Sequence, residues 1–143
     1  MFYRIIYMST ANGNPEQAEL EALMQRARRN NERDGITGLV AYHDFTFIQV
    51  LEGPEDNVRA CFDRIRDSKL HRNIILVYEA HTGARLFDRY AMAFVPSADR
   101  NRPVNTAFTN LRNLFDGDIG KRLETDVAAE GFLRAFYDTM RGL

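Results

Sequence analysis

The stretch Gly35–Gly53, GITGLVAYHDFTFIQVLEG, decides how the chain is read. It predicts two strands, Ile36–Tyr42 and Phe45–Leu51, joined by a tight turn around His43-Asp44, with a glutamine set inside an otherwise apolar second strand. Alternation puts Phe47, Gln49 and Leu51 on one face and Thr46, Ile48 and Val50 on the other. A side-chain amide carries both donor and acceptor groups, and leaving one buried and unpaired costs roughly 1–3 kcal/mol. Gln49 therefore either meets water at an edge or faces something polar inside.

Upstream of the hairpin, Phe2–Met8 is aromatic and β-branched and predicts a strand. Its faces are Tyr3, Ile5, Tyr7 and Phe2, Arg4, Ile6. Ser9–Asn14 reads as a loop. Asn14-Pro15-Glu16-Gln17 has the pattern of a helix start, with a cap, a proline at the first position and a glutamine at the third. Leu20, Leu23, Met24 and Ala27 then form an apolar stripe. The next step of that stripe is Asn31, beside Asn30. An asparagine there fits a C-terminal cap, or a polar group aimed into a pocket. The basic run Arg26-Ala27-Arg28-Arg29 suits a helix end, where cations meet the negative end of the dipole.

Downstream, Gly53-Pro54-Glu55-Asp56 opens a second helix to about Asp67, with the stripe Val58, Cys61, Phe62, Ile65. Cys61 is the only cysteine and reads as a core thiol. Asn73–Tyr78 is nearly continuously apolar, the pattern of a strand buried on both faces. Leu86–Phe94 reads as one more strand, with Tyr90 and Met92 on one of its faces. The order β-α-β-β-α-β plus a strand gives an α+β fold, a ferredoxin-like sheet with an added fifth strand. Both helices of such a sheet lie on one face, so the other face needs a cover. Residues 1–95 make this domain, and 96–143 a C-terminal extension with two amphipathic helices. One carries Phe108, Leu111, Leu114 and Phe115; the other, Thr125–Met140, carries Phe132, Leu133, Phe136 and Met140. They pack on the sheet or form a dimer or partner surface.

Composition narrows the function. The 143 residues carry a net charge of −1, with 45% hydrophobic and 27% charged residues, so no bulk electrostatic attraction to nucleic acid or anionic membrane is expected. No apolar run approaches the ~20 residues that span a bilayer, which points to a cytoplasmic protein. One cysteine and three scattered histidines give no metal cluster. No catalytic constellation emerges: Ser9 lacks a nucleophile-elbow context, Gly35, Gly38 and Gly53 do not make a phosphate loop, and the carboxylates fall on solvated helix faces or turns. What stands out is a set of polar residues on elements expected to be buried: Tyr7, Asn31, Gln49, and Tyr90 with Met92. In a ferredoxin-like sheet the first and third strands are neighbours, which sets Tyr7 beside Gln49. These residues make either a satisfied core network or the lining of a ligand pocket.

The assembled segments resemble the BLUF domain, a flavin-binding blue-light sensor family. They are Ile5–Ser9, Asn31 before Gly35–Gly38, Phe47–Gly53, His71–Ile74 and Phe87–Met92, in family order over residues 1–95. The resemblance implies FAD with its ring between the two helices, Asn31 hydrogen-bonded to the pyrimidine edge, and Tyr7 and Gln49 as the photoactive pair. It also implies Ile6, Ser9, Asn30, Leu51 and His71 as cofactor-binding residues, and Tyr90 and Met92 as signalling residues. The family often has tryptophan two residues before that methionine. This chain has no tryptophan, and Tyr90 stands there. A sensor of this kind does no net chemistry, and its signal would leave through the last strand and the C-terminal helices to a separate effector protein or to a change in homo-oligomer. The competing reading is a ferredoxin-like small-molecule enzyme or ligand-binding domain with Tyr7 and Gln49 in its pocket.

Overall fold

The computed structural model describes residues 1–13, 16–87, 93–95, 121–122 and 124–140. In chain order the elements are β1 (Phe2–Ala11), α1 (Gln17–Asp34), β2 (Thr37–His43), β3 (Thr46–Gly53), α2 (Glu55–Arg66), β4 (His71–Thr82), β5 (Ala93–Val95) and α3 (Val127–Met140). Four strands form an antiparallel sheet in the order β4-β1-β3-β2, and the three-residue β5 lies parallel beside β2. The α+β class and the antiparallel pairing are those expected. The fifth strand differs from Leu86–Phe94: Leu86 and Phe87 lie in a bend, their backbone amides held by a carboxylate. Tyr90, Met92 and the expected helix around Phe108–Phe115 lie outside the described residues.

Strand parity sorts the side chains into two cores. On one face Tyr3, Ile5, Tyr7, Val40, Phe47 and Leu51 pack against Leu20 and Met24 of α1 and Val58, Cys61 and Phe62 of α2. On the other, Ile6, Leu39, Ala41, Ile48 and Val50 pack under Ala129, Leu133 and Phe136 of α3, with Leu86 and Phe87. A sheet with apolar residues on both faces is thus covered on both.

Several boundaries move for physical reasons. α1 opens at Gln17, with the Leu20 amide donating to the Glu16 carbonyl at 3.0 Å, later than the Asn14-Pro15 pattern predicts. It runs on to Asp34 because Gly35 takes the cap, in left-handed backbone (φ 67°) that glycine adopts without penalty. Arg26, Arg28 and Arg29 therefore lie in mid-helix. β1 continues through Ser9 to Ala11, pairing with β4 across register shifts. β4 is an edge strand, so its apolar run is not doubly buried: Ile75 is 59% exposed. The hairpin turn is Asp44-Phe45, both at positive φ (49° and 66°), the twist a two-residue hairpin demands. At Gly38 a Cβ would sit 1.9 Å from the Val50 carbonyl oxygen, so only glycine lets β2 approach β3 there.

Candidate functional site

Tyr7 and Gln49 are cross-strand partners on β1 and β3, and both side chains point to the two-helix face. The Tyr7 hydroxyl donates to Gln49 Oε1. Both are buried, at 2% and 7% exposure, and they meet side by side, as the neighbouring first and third strands of the expected sheet imply. It forms one wall of a cavity of about 300 Å³ between α1, α2 and the sheet. A cavity of this size is at the lower end of the range for small-molecule sites.

Asn31 is buried and lines the same cavity, with Asn30 half-buried beside it. Its backbone carbonyl accepts from the amides of Ile36, at 2.9 Å, and Gly35. The cap itself is Gly35, which leaves the Asn31 side chain on the stripe that faces the pocket. Leu23, Met24 and Ala27 of that stripe line the cavity too.

His71 closes one side. Its Nε2 lies 3.1 Å from the Ile65 carbonyl, and its Nδ1 2.8 Å from Ser9 Oγ. A carbonyl only accepts, so Nε2 carries the hydrogen and Nδ1 accepts from Ser9. Burial lowers the His71 pKa, partly offset by the bond to Ile65, and the neutral ring keeps this arrangement. The ring stands edge-on to Phe47 (81°, centroids 5.9 Å apart) and to Tyr7 (69°, 6.2 Å). Burial, and secondarily the Cys61 thiol, pushes the Tyr7 phenol well above its usual pKa, so it holds its proton.

The remaining residues expected from the sequence are placed differently. Ser9 is buried and reaches the site through His71, and Leu51 is fully buried in the core on the same face; neither lines the cavity. Ile6 projects its side chain to the opposite face, beneath α3, because it is one residue out of phase with Tyr7. Sequence reasoning missed Arg26 and Arg64 at the cavity, and filed Cys61 as core only. Arg26 is one position before Ala27 on the stripe, and Arg64 is three after Cys61, so helical spacing was the available signal. Arg64 also pairs with Asp34 at 3.4 Å.

Chemically, the site offers a largely apolar cavity with a phenol–amide pair on one wall, an amide side chain from α1, and two guanidinium groups. That donor set suits a planar heteroaromatic ring with hydrogen-bonding edges, attached to an anionic tail. Among the described residues no group of His, Cys, Asp and Glu could hold a metal ion. No helix among them is long and apolar enough to cross a membrane.

Comparison with known proteins gives a consistent answer. Residues 2–93 match the family BLUF, described as sensors of blue-light using FAD. The chain is 32% identical over 129 residues to the photoactivated adenylate cyclase subunit beta of Euglena gracilis, covering 83% of this chain and 15% of that protein. It is 28% identical over 92 residues to the blue light- and temperature-regulated antirepressor BluF of Escherichia coli (strain K12), covering 64% of this chain and 23% of that one. The chain thus spans under a quarter of the length of these curated relatives. Among solved structures, BlsA in its photo-activated state superimposes with a TM-score of 0.65 at 30% identity, over 80% of this chain and 76% of that one.

Proposed function

Because the chain belongs to the BLUF family of flavin-binding blue-light sensors, we propose that it binds FAD between α1 and α2 and reports blue light through the Tyr7–Gln49 hydrogen bond. The single observation that carries the reading is that bond, buried in the wall of a cavity that Asn31 also lines. The cavity takes the ring system alone, so the rest of the flavin runs out past Arg26 and Arg64, whose charges suit phosphate. A diphosphate linked to adenosine makes fuller use of two guanidiniums than a single phosphate, which favours FAD over FMN.

Bound flavin supplies a chromophore that blue light turns into a strong oxidant. The chain supplies the rest. Tyr7 keeps its proton in the dark and its hydroxyl donates a hydrogen bond to Gln49 Oε1, so the amide oxygen stands ready as the acceptor for that proton. Gln49 can donate with one end of its amide and accept with the other. Turning the amide, or converting it to its imidic tautomer, changes which group it presents to the cavity. Asn31 fixes the ring edge, and Leu23, Met24, Val40 and Phe47 supply apolar contact for the ring. Nothing in this sequence of events forms a released product, so the protein acts as a sensor and not as an enzyme. Its signal passes on to an effector or to a change in oligomer.

The test is a pair of substitutions. Tyr7→Phe and Gln49→Leu keep the cavity and should both retain flavin, identified after release as FAD by chromatography. Both should lose the reversible red shift of the flavin band under blue light. Retention of the shift in either variant refutes the assignment of the pair.

A further inference from the structure

On the sheet face opposite the cavity lies a buried ionic cluster. Arg4 and Glu52 are cross-strand partners on β1 and β3, with side chains 3% and 0% exposed, and Arg4 Nε lies 3.1 Å from Glu52 Oε2. Glu52 also accepts the amides of Leu86 (2.9 Å) and Phe87, and the Thr37 hydroxyl at 3.2 Å. Arg4 reaches outward with its other nitrogens, to the Ala84 carbonyl at 2.9 Å and to Asp126 Oδ2 at 2.7 Å. Asp126 in turn accepts from the Tyr78 hydroxyl and caps α3, its Oδ1 taking the Ala129 amide at 3.1 Å.

The charges are unequal: one guanidinium serves two carboxylates. Arg4 and Glu52 form a neutral inner pair that stays matched if Asp126 leaves. Asp126, at 12% side-chain exposure, is the partner that can return to water. The weak point of the cluster is therefore Arg4–Asp126, where the C-terminal helix joins the sheet. The two strands that carry Arg4 and Glu52 also carry Tyr7 and Gln49, three residues along the same ladder and on the other face. A small shift of β3 against β1 acts on both pairs.

Building on the light-sensing reading above, we propose that Arg4 and Asp126 form a releasable clasp that holds α3 on the sheet in the dark and opens when hydrogen bonding at Gln49 changes. Release of α3 bares Ile48, Val50 and the other apolar residues beneath it. The route needs neither an indole nor the segment around Tyr90.

Hydrogen–deuterium exchange of the full chain tests it. Asp126→Asn keeps the helix cap, since asparagine caps as well as aspartate, and removes the charge that Arg4 holds. In the dark it should speed exchange of the α3 amides about tenfold, the scale of one lost charge-assisted hydrogen bond. Glu130→Gln, which removes a negative charge from the same first turn and whose side chain pairs, among the described residues, with the half-exposed Arg134, should leave α3 exchange near the wild-type rate. Blue light should raise α3 exchange in wild type and add little in Asp126→Asn. Equal dark exchange in Asp126→Asn and wild type, or an equal effect of Glu130→Gln, overturns the clasp. A wild-type protein whose flavin band shifts while α3 exchange stays constant overturns the clasp as output and leaves the sensing reading intact. A protein without the shift refutes that reading, and with it the light trigger.

Discussion

Glu52→Gln is the substitution whose cost the structure lets one work out most fully. Glu52 is completely buried, and its two oxygens divide four donors. Oε2 takes Arg4 Nε and the Leu86 amide, while Oε1 takes the Thr37 hydroxyl and the Phe87 amide. A glutamine has one acceptor oxygen, so its NH2 must face one of these donor pairs. The better placement turns it to Thr37, whose hydroxyl can rotate to accept. That leaves the Phe87 amide unpaired in a buried place, at ~1–3 kcal/mol. The Arg4 bond also loses its anionic acceptor while the guanidinium keeps its charge, a further loss of about 1 kcal/mol. Together these give about 3 kcal/mol, consistent with the ~3–5 kcal/mol for breaking a buried pair outright. With a urea slope of about 2 kcal/mol/M for a chain this size, the midpoint of unfolding should fall by about 1.5 M. The assay is equilibrium urea unfolding followed by circular dichroism, kept in the dark. A midpoint that moves by less than ~0.5 M would show that the four bonds are not held together as described.

Other expectations follow from single positions. Gly38→Ala forces a Cβ against the Val50 carbonyl oxygen and should cost more than ~3 kcal/mol, at the severe end of overpacking; soluble protein of near-native melting temperature would contradict it. Phe45→Gly relieves left-handed backbone at the second turn position and should raise stability by roughly 0.5–1 kcal/mol, since glycine is the residue this turn favours; thermal melts would show a loss instead if the exposed phenyl ring matters more. Acid should act through Asp126. Burial pushes its carboxyl up, but the bonds from Tyr78 and the Ala129 amide and the Arg4 charge outweigh that and leave its pKa lowered. A lowered pKa means stability present above the unfolded carboxylate value of about 3.9 and lost as pH falls below it. Asp126→Asn should therefore flatten the stability curve below about pH 4 relative to wild type, as read from melts at stepped pH.

Some of this was legible in the chain. Period-two alternation gave each strand its two faces, and the element order made the strands of Tyr7 and Gln49 neighbours, so that pair was readable from the sequence alone. The two-helix face was readable for the same reason. Asn31 was ambiguous because a helix-ending asparagine and a pocket asparagine share one pattern; the left-handed Gly35 resolves it by taking the cap. The apolar run of β4 misled because a run of that kind looks the same at a sheet edge, where Ile75 is exposed, as in a sheet centre. Arg4, Glu52 and Asp126 were hidden most completely. A charged residue on a strand or at a helix start normally faces water, and only the docking of α3 across the sheet turns these three into a buried cluster. Carboxylates expected on solvated surfaces are thus among the best-satisfied groups in the fold. Ile6 shows the opposite error, since its side chain lies under α3 while the cavity is on the far face.

The central claim is that a buried Tyr7–Gln49 bond in a flavin cavity converts light into a change of hydrogen bonding. The most direct measurement is the light-minus-dark absorption spectrum of the purified, dark-adapted protein. The account predicts a yellow protein whose flavin band moves to the red under blue light and returns fully in the dark. Colourless protein that takes up no added flavin, or a bound flavin whose band only bleaches or stays fixed under illumination, would contradict it.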